Sequence, residues 1–274
     1  MSIVEKAMSR SQGERSRTAA AGSSTLAPAP AAPDSHPPAT TEGPPVAVRQ
    51  GLAIEQFQAL ARDFRFLKRP VLARVFGMSR SGARSGNLVM ITSDQPQAGK
   101  SFIALNLAGS MASERMMRVV LVDADPVRRT LSGRLGVSDR KGLLELLSGE
   151  VARPGDVLLA TDVESLYFMP AGQPRPDATE LMASPRMDQV LKQFEDPNLI
   201  VILDSAPLLL SSEGRVLADH VHHALVVVEA GRSTASEVSQ VLDLMRESSA
   251  SVNVVLNKTP GRGSSGQHDY YYAY

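Results

Sequence analysis

Residues 87–108, NLVMITSDQPQAGKSFIALNLA, constrain this chain more than any other stretch. The apolar run at 87–93, β-branched in part and bounded by turn formers, reads as a short buried strand. From Ser101 onward Phe102, Leu105, Leu107 and Ala108 return at helical spacing. Between strand and helix lies Asp94-Gln-Pro-Gln-Ala-Gly99-Lys100-Ser101, which ends in the GK[ST] close of a phosphate-binding loop. In such a loop backbone N–H groups and the helix N-terminus face the phosphates. The Lys reaches the β- and γ-phosphates, and the hydroxyl holds Mg²⁺. The tripeptide alone recurs by chance, but between a buried strand and an apolar helix it has the context its chemistry requires. Two positions depart from the pattern. Asp94 stands where the loop ordinarily opens on Gly, and Gln97 stands where a second Gly is common, which narrows the backbone freedom of a phosphate nest.

The composition narrows the setting. At 274 residues there is room for one large domain plus a tail, or for two small domains. With 29 basic and 29 acidic residues, no global field favours nucleic acid or an anionic membrane. The absence of cysteine excludes a disulfide framework and a thiolate metal site, and it fits a reducing compartment. No signal-like apolar core opens the sequence and no run of about 18 apolar residues occurs, so the expectation is a cytoplasmic chain with no direct membrane span.

Along the chain, residues 1–17 form an amphipathic pattern through Ile3, Val4, Ala7 and Met8, which reads either as a docking helix or as a frayed terminus. Residues 18–48 are dominated by Ala, Pro, Thr and Ser and read as a disordered linker. The folded domain is expected over 49–260. Its first helix is predicted at 53–68, with Ile54, Phe57, Leu60, Ala61 and Phe64 inward and Pro70 interrupting it. Arg62, Arg65, Lys68 and Arg69 lie along or just beyond it, as a solvated face or a subunit contact.

A second buried strand, MRVVLVDADP, ends in Asp123 and Asp125, which on extended backbone point the same way. They fall at a strand's carboxyl end, where open α/β sheets collect ligands. A short helix is predicted at 141–149, a strand at 166–170 and one longer amphipathic helix at 178–194. The third buried strand, LIVILD, places Asp204 in the pattern of a Walker B strand. Strands at 224–229 and 252–257 flank a helix at 233–247. This alternation predicts an α/β fold of three layers, a mostly parallel sheet with helices on both faces. His220, His222 and His223 read as a solvated loop, since no carboxylate or thiol stands at ligand spacing.

The end, residues 261–274, is a flexible Gly/Ser-rich segment leading to tyrosines. Of five tyrosines in the chain, four occupy its last five positions: Tyr270, Tyr271, Tyr272 and Tyr274. They read either as a tail docked on the surface or as phosphoryl acceptors on a mobile tether.

Taken together and in order, the phosphate loop, VVLVDADP, GLLELLSGE, MPAGQPRPDATELMAS, VILDSAPLLL, ALVVVEAG, VVLNK and the tyrosine tail resemble a bacterial tyrosine autokinase of the exopolysaccharide type found with exosortase systems. The resemblance implies a P-loop NTPase fold, ATP and Mg²⁺ as cofactors, and autophosphorylation of the tail, the four terminal tyrosines being the acceptors. By position it implies nucleotide contact from Gln97, Ala98, Gly99, Lys100, Ser101 and Phe102, with Asn257 against the adenine. Lys100 would bind the phosphates. Ser101, Asp123 and Asp204 would serve the metal, and Asp123 and Asp125 would form a Walker A′ pair, one of which accepts the tyrosine proton. It implies a membrane polysaccharide chain-length regulator as activator, a tyrosine phosphatase as antagonist, a homo-oligomer, and a place at the inner membrane held through a partner.

Two further departures accompany Gln97. An Arg that the family often carries just after the paired aspartates is displaced by Pro126 and Val127, leaving Arg128 and Arg129. The family's Glu-x-x-Arg-x-x-Arg subunit contact has only Asp63, Arg65, Lys68 and Arg69 as a substitute. Two other readings compete: a nucleotide-switched partitioning ATPase, and a degenerate nucleotide-binding scaffold. The first ordinarily has a second Lys where Gln95 stands, and Gln97 is what favours the other.

Overall fold

The apolar runs become the strands of one sheet. The structure is a computed structural model that describes residues 47–48, 58–75, 86–114 and 117–260, the side chains of 58–62 excepted. All of these lie in the unit Pro37–Tyr274. The expectations for 1–17, for most of 18–48 and for the tyrosine tail fall outside the described residues.

Helix α1 (Gln58–Val75) precedes strand β1 (Leu88–Ser93) and helix α2 (Lys100–Ala112). Then come β2 (Arg118–Ala124), α3 (Thr130–Arg134), α4 (Leu143–Ser148), β3 (Leu159–Ala160) and β4 (Leu166–Met169). The chain continues through α5 (Ala178–Met182), α6 (Pro185–Lys192), β5 (Leu199–Ser205), α7 (Ser212–Ala218), β6 (His223–Glu229), α8 (Ala235–Arg246) and β7 (Ser251–Asn257). The strand order is β3-β4-β2-β5-β1-β6-β7, and every neighbouring pair is parallel except β3 with β4.

Side chains of successive strand residues alternate between two apolar layers. Met90, Val122, Val201, Leu203 and Val226 face the layer covered by α4 to α8. Val89, Ile91, Leu121, Ile202 and Leu225 face the layer covered by α1 and α2. Because helices cover both faces, the central strands carry continuous apolar runs rather than alternation. The three-layer expectation holds. Among the described residues no helix is long and apolar enough to cross a membrane.

Several local expectations are corrected. Pro70 lies inside α1, which runs on to Val75. The ring removes one helical hydrogen bond at an exposed position, while Phe64, Val71 and Val75 hold the helix to the core on either side of it. The single helix expected at 178–194 is two. Pro185 opens α6, and Ser184 ahead of it is extended (ψ 153°), as a residue before proline prefers. The histidine segment is only in part a solvated loop: His220 and His222 lie in the loop before β6, with His222 exposed. His223 begins β6 and is buried, His222 Nδ1 accepts the Leu88 amide at 3.2 Å, and His220 pairs with Asp188. Strand β3 and helices α3 and α7 had no clear sequence signal because each is short and takes its shape from tertiary packing.

Phe168 on β4 is wholly buried in the layer below α1 and α2. Phe168→Ala is expected to lower unfolding stability by about 3–5 kcal/mol, measured by urea titration.

Candidate active site

The site forms at the carboxyl edge of the sheet, where β1, β2 and β5 end side by side. The order β2-β5-β1 brings the loop after β1 next to the aspartates of the other two strands. Lys100 is the first residue of α2 and is buried with 7% of its surface exposed. Burial pulls its ammonium below the ordinary lysine range, while the charges of Asp204, Asp125 and Asp94 act to keep it protonated.

Gly99 precedes it with φ 106°, a left-handed conformation that L residues seldom adopt. A Cβ at Gly99 would stand 2.1 Å from Asn257 Nδ2, so the position admits glycine on two counts. Gln97 also lies in the left-handed region, at φ 64°. The residue that breaks the glycine pattern therefore occupies a glycine-like conformation, and the loop bears its cost.

The carboxylates have separate surroundings. Asp123 and Asp204 are directly paired across β2 and β5. Asp123 Oδ2 accepts both the amide and the hydroxyl of Ser132 on α3, each at 2.7 Å. Burial nevertheless raises its pKa to about 6. Asp125 Oδ1 accepts the Arg128 amide at 2.9 Å, and its charge acts on both Lys100 and Asp204. Asp204 is the most perturbed. Burial, followed by the neighbouring Asp123, pushes its pKa up to about 8, against a hydrogen bond from the Ser101 hydroxyl.

One oxygen of Asp204, Oδ1, is buried with no hydrogen-bond partner, and so is Oδ1 of Asp94. A buried carboxylate oxygen with no donor, beside a serine hydroxyl and other carboxylates, suits a hard divalent cation that takes oxygen ligands. The residues present fit Mg²⁺: Ser101 and Asp204 would hold it, with Asp123 behind them.

Other expected site residues are placed as follows. Asn257 ends β7 and donates its side-chain amide to the Ala98 carbonyl at 2.8 Å, so it holds the outside of the loop. The Phe102 ring packs on Phe64 with centroids 6.0 Å apart, leaving only its backbone for a nucleotide. Arg129 is spent on the carbonyls of Ser138 and Gly172, whereas Arg128 is exposed and its charge reaches Lys100. Lys68 binds within the chain, to Glu114 at 2.5 Å and the Ser110 carbonyl at 3.1 Å. That leaves Asp63, Arg65 and Arg69 as the exposed charges on this helix stretch. The expected acceptors Tyr270, Tyr271, Tyr272 and Tyr274 lie outside the described residues. Ser132 was not legible in the sequence, because nothing local links it to Asp123, nine positions earlier.

No family model matches the chain. Its sequence is similar to the tyrosine-protein kinase etk of Escherichia coli strain K12, 34% identical over 183 residues. That match takes in 65% of this chain and 24% of the relative. The tyrosine-protein kinase ptk of Acinetobacter johnsonii is 29% identical over 186 residues, 68% of this chain and 25% of the relative. The chain thus spans about a quarter of the length of the curated relatives it matches. Among solved structures, the kinase domain of Escherichia coli tyrosine kinase ETK superposes with a TM-score of 0.65 at 29% identity, covering 77% of this chain and 80% of that one. The Pyrococcus furiosus cell-division ATPase MinD shares the fold, with a TM-score of 0.53 at 24% identity over 62% of this chain and 71% of that one. By sequence and by fold, the chain resembles the kinase domains of bacterial tyrosine kinases.

A carboxyl whose folded pKa is raised gives stability that is full below its unfolded value, near 3.8, and is lost as the pH climbs through the folded value. Asp204→Asn is therefore expected to raise the thermal midpoint of the ligand-free protein, with a larger gain at pH 8 than at pH 5. Calorimetry in a chelating buffer checks this, and an equal gain at both pH values contradicts the assignment.

Proposed function

We propose that this chain is the catalytic domain of a protein-tyrosine autokinase that uses Mg-ATP to phosphorylate its own terminal tyrosines and so regulates exopolysaccharide synthesis or export. The observation that carries this reading is the meeting of Lys100 with Asp94, Asp125 and Asp204 at one point of the sheet's carboxyl edge. The likeness to tyrosine-kinase domains turns that phosphate-handling centre toward a tyrosine acceptor.

Phosphoryl transfer asks mainly for in-line positioning, positive charge on the transferred group and an acceptor for the hydroxyl proton. Gln97 to Phe102 wrap the phosphates with backbone N–H groups, and Lys100 places its charge on them. Ser101 and Asp204 would hold Mg²⁺, which when bound would supply positive charge to the phosphates. Asp123, fixed by Ser132, keeps β2 and α3 in register. Asp125 accepts the phenolic proton as the tyrosine oxygen bonds to the γ-phosphorus and the bond to the ADP oxygen breaks. Asn257, at the end of β7, also meets the adenine.

Each phosphate adds nearly two negative charges to the tail. Several of them would repel neighbouring copies, so modification would loosen a homo-oligomer built partly on Asp63, Arg65 and Arg69. A membrane polysaccharide chain-length regulator would recruit and activate the domain at the inner membrane, and a tyrosine phosphatase would reset it.

Incubation with Mg-ATP, followed by peptide mass spectrometry, tests this beside a Lys100→Ala control. Phosphate on the Tyr270–Tyr274 peptide of the unaltered chain alone is expected, with transfer in the control down by at least about a hundredfold. ATP hydrolysis without tyrosine phosphate, with an activator's cytoplasmic segment present, would move the assignment to a switch ATPase. Neither activity under those conditions would leave a scaffold.

A further inference from the structure

The outer side of the phosphate loop is gripped by residues of the β6–β7 edge, among which Lys258, Glu229 and Arg232 have no part in the proposed chemistry. Lys258, the residue after β7, donates from Nζ to the Gln97 carbonyl at 2.7 Å. It also pairs with Glu229 at the end of β6, at 3.0 Å. Glu229 pairs with Arg232 too, at 3.3 Å, and Arg232 approaches the Pro96 carbonyl at 3.5 Å. Asn257 takes the next carbonyl, that of Ala98. Three consecutive loop carbonyls are thus drawn toward the β6–β7 edge.

The peptide bonds here are trans, since the described chain has no cis peptide. In a trans peptide the C=O and the following N–H point in opposite directions. Drawing the carbonyls of Pro96, Gln97 and Ala98 outward aims the N–H groups of Gln97, Ala98 and Gly99 to the loop's inner side. Those are the donors a phosphate nest needs. The grip centres on Gln97, whose left-handed backbone (φ 64°) is costly for a residue with a side chain.

We infer that Lys258, braced by Glu229, is a positioning residue that holds Gln97 in its left-handed conformation and so keeps the loop amides aimed at phosphate, doing for Gln97 what a glycine would do unaided. This rests on the nucleotide-binding reading of the loop. Lys258 is about half exposed, and its removal leaves Glu229 paired with Arg232, so the fold should tolerate substitution.

The test uses the full chain in four forms: unaltered, Lys258→Met, Lys258→Arg, and Lys258→Met combined with Gln97→Gly. Two readouts are taken, millisecond hydrogen exchange of the peptide 94–103 without ligand and affinity for a fluorescent ATP analogue with Mg²⁺. Lys258→Met is expected to speed loop exchange and to weaken binding about tenfold, the equivalent of one charge-assisted hydrogen bond. Lys258→Arg should stay within about twofold, and adding Gln97→Gly should restore most of the affinity, because glycine adopts φ > 0 without help. Unchanged loop exchange in Lys258→Met overturns the inference, and so does lost affinity that Gln97→Gly fails to recover. An unaltered chain that binds no nucleotide instead removes the nucleotide reading of the loop, while the exchange comparison still decides whether Lys258 holds it.

Discussion

A lysine ammonium buried among aspartates at the edge of an apolar sheet is the constraint to which the rest of this structure answers. Taking that charge out of water is costly, and only opposite charges held close on rigid elements make it tolerable. Lys100 meets the condition because β1, β2 and β5 are neighbours, so the loop after one strand meets the aspartates at the ends of the other two. The continuous apolar runs of these strands and the helices on both faces fix that adjacency. The core serves the site by holding three chain segments in one register.

The arrangement carries more negative than positive charge. Asp123 and Asp204 sit opposite each other on paired strands, a placement that repels when both are ionised. Burial raises both carboxyls, with Asp125 adding to it at Asp123 and Asp123 adding to it at Asp204, and one oxygen of Asp204 lacks a donor. A centre of this kind is strained toward binding a cation, and ligand-free stability is the term given up for it. The left-handed Gln97 adds a smaller backbone cost at the same place. Both costs cluster where bound ligand would repay them, as strain at functional sites commonly does.

The likeness to tyrosine-kinase domains covers about two thirds of this chain and about a quarter of the relatives' length. The chain's fold is also similar to that of a division ATPase. A fold that hosts two uses says little about which applies. Discrimination comes from individual residues: Gln95 in place of a second loop lysine, and tyrosines gathered at the terminus.

The sequence by itself determined the sheet apart from its short edge strand β3, together with the phosphate loop and the identity of Lys100, Ser101, Asp123, Asp125 and Asp204. Long apolar strands and a glycine-lysine turn are local signals, written in consecutive residues. It could not divide the helix at 178–194 correctly or carry α1 past Pro70, since packing on both sides decides whether a proline ends a helix. Nor could it show that Asp123 is tied to Ser132, that Arg129 is spent on distant carbonyls, or that Lys258 reaches Gln97 across 161 positions. Those contacts join residues far apart in the chain, and only the strand order, set by the tertiary structure, brings them within hydrogen-bond reach.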